Sequence, residues 1–374
     1  MVKSAQMDRA TIPILMVAGG TGGHIFPALA VAEELRTRSE KSDSHSPRYA
    51  IEFLGTHRAL EAKLIPAAGF SLRAIDAAGL KGIGGLRRLR NLLVLPRTVW
   101  QSARILRELR PQVVVGVGGY LAGPVMVEAA LLGIPTVLIE PNARPGFTNR
   151  MLSQVVRAAA VGFEETARFY GKKAILTGLP LRPAFFNVPA KTHVPPYTVL
   201  IVGGSQGSRA INRAMMASLP LLAQEAEAIR IVHQTGEPDY NEVRKTYEEQ
   251  GLHSEVHAFI VDMPAALAQA DLVISRAGAI AVAELAAAGR VALLIPFPAA
   301  TDQHQLENAR VMEHAGAARV IVQAELTPQR LVDEIRVLLS APEELTEMEV
   351  QARRIAKQGA AARIADLVEN LVRE

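Results

Sequence analysis

Two glycine-rich runs carry the most chemical information in this sequence. Gly19-Gly20-Thr21-Gly22-Gly23-His24 follows an apolar run at 12–17, and Gly203-Gly204-Ser205-Gln206-Gly207-Ser208 follows another at 198–202. A glycine turn between a strand and a helix lets backbone N–H groups close on an anion at the positive end of the helix. The same turn also arises wherever the backbone needs a positive φ, with no ligand involved. Neither run is the triphosphate loop, which needs G-x-x-x-x-G-K-[ST]. A dinucleotide fingerprint begun at Gly20 puts Ile25 where a small residue belongs. The next strand ends Gly55-Thr56-His57, without a carboxylate for a nicotinamide ribose. This is not an ordinary NAD enzyme.

Further clusters sit at later strand ends. Gly118-Gly119-Tyr120-Leu121-Ala122-Gly123-Pro124 follows one strand, and Ser275-Arg276-Ala277-Gly278 follows another, with Glu284 about a turn into the next helix. In open α/β sheets, ligands collect beyond the carboxyl ends of the strands. Several such loops imply a large polar ligand lying across a crevice between two domains. Glu284 stands where a carboxylate could accept hydrogen bonds from vicinal hydroxyls such as those of a ribose; the plainer reading is a solvated helix-face glutamate.

The elements that must position these loops follow from composition and pattern. The chain has 374 residues, 49% apolar and 21% charged, enough for two or three globular domains. Cysteine is absent, which excludes disulfides, thiol nucleophiles and thiolate metal sites, and no two of the nine histidines have metal-ligand spacing. No metal or cofactor is expected. Strands are expected at 12–17, 50–54, 113–117 and 136–139, then at 198–202, 230–233, 256–259, 272–275 and 291–296. Helical patterns alternate with most of them, beginning near 26–38 and 209–219. That alternation predicts an α/β fold with two Rossmann-like parallel-sheet domains. The boundary reads at Gly178-Leu179-Pro180-Leu181-Arg182-Pro183. The expected division is 1–178, 179–345, and terminal helices over 346–374 that can pack back towards the first domain. Apolar runs are cut by Gly and Pro well short of a lipid-spanning helix, and the polar amino terminus does not read as a signal peptide.

With these residues in place, the sequence resembles the bacterial peptidoglycan N-acetylglucosaminyltransferase (MurG) family. The motifs are GGTGGHIFP at 19–27, GGYLAGP at 118–124, EPNARPG at 140–146, GGSQGS at 203–208, FIVDM at 259–263, SRAGAIAVAE at 275–284 and DQHQLENA at 302–309. The resemblance implies a GT-B fold whose two domains face a central cleft. It implies inverting transfer of N-acetylglucosamine from UDP-N-acetylglucosamine to the 4-hydroxyl of undecaprenyl-diphosphate-linked N-acetylmuramoyl-pentapeptide, converting lipid I to lipid II. It further implies peripheral residence on the cytoplasmic face of the inner membrane, in cell-wall growth and division, with the first domain facing acceptor and membrane and the second binding the UDP-sugar. Carried over by position, Thr21, Gly22, Gly23, Tyr120 and Asn142 would line the first domain's side of the site. Arg182, Ser205, Ile260, the run Ala279, Ile280, Ala281, Val282, Ala283 and Glu284, and Gln305 would hold UDP. Ser205 and the helix start at Ala279 would meet the diphosphate, Glu284 the ribose, and the Ile260 backbone the uracil. Departures occur at Ile139, Pro141 and Ala281, where the family often has His, Gln and Thr.

Inversion needs one base for the acceptor hydroxyl. His24 is preferred because an imidazole titrates near neutrality, although a histidine there can equally cap the following helix; Glu140 competes. No D-x-D sequence occurs, and helix ends with Arg182 could stabilise the departing diphosphate.

Charge is uneven: residues 1–180 hold 23 Lys/Arg against 13 Asp/Glu, and 181–374 hold 18 against 24. The excess concentrates in 80–110. Lys81, Arg87, Arg88 and Arg90 interleave with Leu86, Leu89 and Leu93, followed by Trp100. A cationic face with an apolar stripe suits an anionic bilayer surface; a helix packed on its own sheet with arginines in water is the alternative. Nucleic acid is not expected, since aromatics are 5% of the chain and no RNP-like motif accompanies the basic run. Two other functions fit the architecture, a non-hydrolysing UDP-N-acetylglucosamine epimerase and a non-catalytic UDP-sugar-binding protein at the membrane.

Overall fold

Runs of Val, Ile and Leu with turn residues at both ends become buried parallel strands here, because helices cover both faces of each sheet. The structure, a computed structural model, describes residues 11–19, 22–41, 48–57, 59–76, 95–225, 227–250 and 253–373. It comprises two units, one of residues 1–180 with 359–374 and one of residues 181–358.

In the first unit the order is β1 (Thr11–Val17), α1 (Gly22–Lys41), β2 (Arg48–Thr56), α2 (Ala59–Ala67), β3 (Ser71–Ile75), α3 (Leu95–Leu109), β4 (Val113–Gly116) and α4 (Gly119–Leu131). It continues with β5 (Thr136–Glu140), α5 (Phe147–Leu152), β6 (Ala158–Val161), α6 (Glu164–Ala167) and β7 (Ala174–Leu176). The second unit holds β8 (Tyr197–Val202), α7 (Arg209–Leu222), β9 (Ile229–Gln234), α8 (Tyr240–Gln250), β10 (Ser254–His257), α9 (Met263–Gln269) and β11 (Leu272–Ser275). Next come α10 (Ala279–Ala288), β12 (Ala292–Leu294), α11 (His304–His314), β13 (Ala318–Val320), α12 (Pro328–Leu339) and α13 (Pro342–Ile355). The last helix, α14 (Ala360–Arg373), belongs to the first unit.

The sheet orders are β3-β2-β1-β4-β5-β6-β7 and β10-β9-β8-β11-β12-β13, with every described pairing parallel. Each order reverses direction once, between β1 and β4 and between β8 and β11. Loops at such a switch point splay apart and leave room for a ligand. The glycine runs after β1 and β8 both open there, as do Gly118–Gly119 after β4 and Arg276–Gly278 after β11.

Helix α14 shows how the first unit recruits a distant segment. Ile364, Ala365, Val368 and Leu371 recur at helical spacing and are buried in the core that includes Val31 and Leu35 of α1. Burying each large apolar side chain there contributes roughly 1.5–3 kcal/mol. Arg38 of α1 adds contacts to Asp366 (2.7 Å), Glu369 (3.2 Å) and the Ala362 carbonyl (3.0 Å). Helix α13 does not follow it. Leu345 and Met348 pack into the second unit's core, and the chain passes to the first unit at Gln358–Gly359.

Candidate active site

In the first unit the candidate residues lie at the ends of β1, β4 and β5. Gly118 and Gly119 have φ of 101° and 81°, a region L side chains rarely adopt. A β-carbon on Gly118 would come within 2.6 Å of Asn149 Oδ1, and one on Gly119 within 3.7 Å of the His24 ring. The His24 imidazole, half-buried in the first turn of α1, therefore lies beside the β4 loop.

Glu140 ends β5 and is completely buried. Its Oε1 accepts from the backbone N–H of Asn142 (2.9 Å) and from Asn142 Nδ2 (3.1 Å), and its Oε2 accepts from Asn149 Nδ2 (2.7 Å). Burial without a cation pushes its carboxyl up to about 7, against the pull of these donors. Thr166 Oγ1 donates to the Asn142 carbonyl (2.9 Å), so the Glu140–Asn142 turn is pinned on both sides.

Glu61 has no counterpart in the sequence reading. It is buried in α2, accepts from Thr56 N–H and from Thr56 Oγ1 (2.9 Å), and lies where β-carbons on Gly19 and Gly55 would come within about 3 Å of it. Gly19 and Gly55 are thus needed for the close approach of a carboxylate that supports the first loop. Of the other expected residues, Gly22 and Gly23 open α1 and Tyr120 opens α4. Thr21, Lys81, Leu86, Arg87, Arg88, Leu89, Arg90 and Leu93 lie outside the described residues.

In the second unit the candidate residues are held by backbone contacts more than by side chains. In the Gly203–Ser208 loop, Gly207 (φ 73°) packs against the Thr235 carbonyl, and Gly236 (φ 78°) packs against the Gln206 carbonyl. A β-carbon at either position would overlap those atoms. Gly204 (φ 95°) faces open space, and Ser205 is exposed beside it. Ser208 caps α7 through the Ile211 N–H. Gln234, buried at the end of β9, donates to the Gly204 carbonyl (3.0 Å) and accepts from the Ile260 N–H (2.8 Å). The Ile260 N–H is thus spent inside the protein.

Helix α10 begins at the same edge. Gly278 caps it with no side-chain hydrogen bond, and a β-carbon there would meet nothing within 4 Å. Its first-turn N–H groups carry the partial positive charge of a helix start and have no side-chain cap. Ala279 and Val282 turn their side chains into the core, whereas Ile280, Ala281, Ala283 and Glu284 are half-buried. Burial pushes the Glu284 carboxyl up to about 7, while the Arg182 charge pulls it down. Arg182 itself is exposed and lies over the Phe185 ring, 5.1 Å from its centre. Arg276 donates to the carbonyls of Ile295 (3.0 Å) and Pro296 (3.3 Å) and to Gln323 (2.7 Å), fixing the loop after β12. Gln305 accepts from the Phe297 N–H in that loop (2.9 Å).

Two Rossmann-like parallel-sheet units, each with glycine loops at its switch point and the second with an uncapped helix start and a buried carboxyl, define the GT-B class of nucleotide-sugar enzymes. Residues 14–161 match the glycosyltransferase family 28 N-terminal domain and residues 198–368 its C-terminal domain. Over 374 residues, all of both chains, the sequence is 44% identical to the UDP-N-acetylglucosamine–N-acetylmuramyl-(pentapeptide) pyrophosphoryl-undecaprenol N-acetylglucosamine transferase of Solibacter usitatus (strain Ellin6076). The crystal structure of Acinetobacter baumannii MurG is 33% identical, with a TM-score of 0.80, covering 96% of this chain and 99% of that one. A UDP-GlcNAc 2-epimerase from Neisseria meningitidis superposes with a TM-score of 0.65 at 14% identity, covering 96% of this chain and 100% of that one; this likeness shows the fold alone. The chain belongs to glycosyltransferase family 28 and, within it, to the MurG family.

Proposed function

We propose that this chain transfers N-acetylglucosamine from UDP-N-acetylglucosamine, with inversion, to the 4-hydroxyl of an undecaprenyl-diphosphate-linked N-acetylmuramoyl-pentapeptide. The observation that carries this reading is 44% identity over the full length to a transferase of that name; the glycine loop after β8 and the helix start at Gly278 in the second unit support it.

The donor diphosphate lies against the Gly203–Ser208 loop and the first turn of α10, with Ser205 and Arg182 beside it. Glu284 accepts from the ribose hydroxyls, the Ile260 carbonyl meets the uracil edge, and Gln305 lies by the sugar. The acceptor oxygen attacks the anomeric carbon as the bond from that carbon to the diphosphate oxygen breaks. The charge growing on UDP is stabilised by N–H dipoles and the Arg182 guanidinium. His24 takes the hydroxyl proton, and Tyr120 and Asn142 border the acceptor. Glu140, buried and engaged by two asparagines, holds the Asn142 turn in place and acts as a positioning residue; in this assignment His24 alone is the base.

The first unit is the membrane-facing one. Helix α3 buries Thr98, Ser102 and Leu106 and exposes Trp100 (63%) and Val99 (42%) among Arg97, Arg104 and Arg107. Among the described residues, no helix is long and apolar enough to cross a membrane. Attachment at the cytoplasmic face is therefore peripheral in this reading, with cationic and aromatic side chains meeting an anionic surface.

Incubation with UDP-N-acetylglucosamine and a short-chain lipid I analogue tests the proposal. UDP release matched by a β-linked disaccharide product is expected. A new UDP-sugar formed without acceptor would instead identify an epimerase, and binding without turnover a UDP-sugar-binding protein.

A further inference from the structure

His233 is fully buried near the end of β9. Its Nδ1 is 3.0 Å from Tyr247 Oη of α8, and its Nε2 is 3.0 Å from Asn212 Oδ1 of α7. The two rings meet edge to face at 5.7 Å. Asn212 Nδ2 donates both to the Thr235 carbonyl (2.9 Å) and to Asp239 Oδ2 (2.9 Å). Because that nitrogen faces two acceptors, Asn212 Oδ1 must face His233, which must then donate from Nε2. Nδ1 is left with its lone pair and accepts the Tyr247 hydroxyl. One tautomer satisfies every group. Burial holds the imidazole down to about 3, so it stays neutral at working pH.

The far end of this chain is the Thr235 carbonyl, the atom against which Gly207 packs. The next side chain along β9, Gln234, reaches Gly204 and Ile260. Gln234 thus reaches one end of the Gly203–Ser208 loop directly, and His233 is linked to the other through Asn212 and the Thr235 carbonyl.

We propose that His233, Tyr247 and Asn212 form a buried positioning relay that fixes the Gly203–Ser208 loop in the shape that receives the donor diphosphate. The relay rests on the donor reading above and acts without touching the ligand.

Calorimetric titration of UDP into the full-length protein, with steady-state kinetics for both substrates, tests it. Tyr247→Phe and His233→Leu should weaken UDP binding about five- to thirtyfold, the scale of one or two buried hydrogen bonds. The KM for UDP-N-acetylglucosamine should rise in step, while kcat and the acceptor KM stay within about twofold. His233→Gln, whose amide can still donate to Asn212, should retain more affinity than His233→Leu. Nitrogen-15 spectra of the wild-type side chains should show one histidine locked as the Nε2–H tautomer across neutral pH, lost in Tyr247→Phe. Unchanged UDP affinity in Tyr247→Phe, whose ring keeps its packing, overturns the proposal even if His233→Leu fails to fold. Equal rises in both KM values also overturn it. Wild-type protein that binds no UDP overturns the donor reading together with the relay, whereas normal wild-type binding with indifferent variants overturns the relay alone.

Discussion

Two carboxyls in this protein, Glu140 and Glu284, are pushed up to about 7 by burial, and their surroundings give them different work. Glu140 is surrounded by amide donors of its own chain, so its ionisation serves the loop. Glu284 has the Arg182 charge nearby and lies on a helix whose start is open to a ligand. If ribose hydroxyls donate to the Glu284 carboxylate, the donor binds its ionised form and releases a proton on binding. Affinity for UDP-N-acetylglucosamine must then rise as pH climbs through 7 and level off above it, by about tenfold between pH 6 and 8. Donor KM should fall correspondingly across that range, and Glu284→Gln should flatten its profile; a flat wild-type profile would remove Glu284 from the ribose. His24 is tested differently. Its replacement by Ala should lower kcat at least about a hundredfold while calorimetric UDP affinity is unaltered, as expected for loss of a general base. Near-normal turnover would return the role to another group.

At the scale of elements, glycine does two separate jobs. Gly207 and Gly236 sit where two loops touch through backbone, at positive φ and with no room for a β-carbon. Gly278, at φ −63°, has ordinary geometry and open space. Gly207→Ala should therefore destabilise the folded protein by about 2 kcal/mol or more, and Gly278→Ala by under about 0.5 kcal/mol, in denaturant titrations. Equal effects would mean the loop contact contributes nothing. The contrast was not readable from composition, because the sequence shows both only as glycines after strands. The strands were more legible: Val and Ile runs identify β4, β8 and β11 almost to the residue. β6 escaped, since Ala158-Ala159-Ala160-Val161 carries no β-branched signal until its end and is held by tertiary burial instead. β10 came out at 254–257 rather than 256–259, because Phe259 turns out to solvent. Of the candidate site, the glycine loops at the strand ends and the place of Glu284 on the helix after β11 could be read from spacing. Gln234, Asn149 and Glu61 could not, as each acts through a fold-dependent contact with backbone or with a residue remote in sequence.

For the whole molecule, charge separates two tasks along one chain. Residues 1–180 carry a balance of +10 and residues 181–374 a balance of −6, from 23 against 13 and 18 against 24 charged residues. In the donor reading proposed above, the anionic nucleotide meets mainly peptide N–H groups and the Arg182 side chain of the second unit. Backbone dipoles bind a diphosphate without needing an overall positive field, so in that reading the cationic excess of the first unit is left for a different partner. A lipid-linked acceptor can be reached only at a bilayer, and an anionic bilayer attracts each basic residue near its surface by about 1 kcal/mol, falling off within a Debye length. Exposed Trp100 and Val99 on α3 add apolar area that salt does not screen. Binding to vesicles containing anionic lipid should therefore weaken steeply as salt rises and leave a small salt-resistant remainder. Charge reversal at Arg87, Arg88 and Arg90 should abolish the salt-sensitive part, and Trp100→Ala should remove most of the rest. Co-sedimentation with anionic and zwitterionic vesicles over a salt series measures both parts. Turnover of a water-soluble acceptor analogue, which needs no bilayer, should be unaffected by the same surface changes. Binding indifferent to lipid charge would place the first unit's arginines in water and separate acceptor capture from membrane attachment.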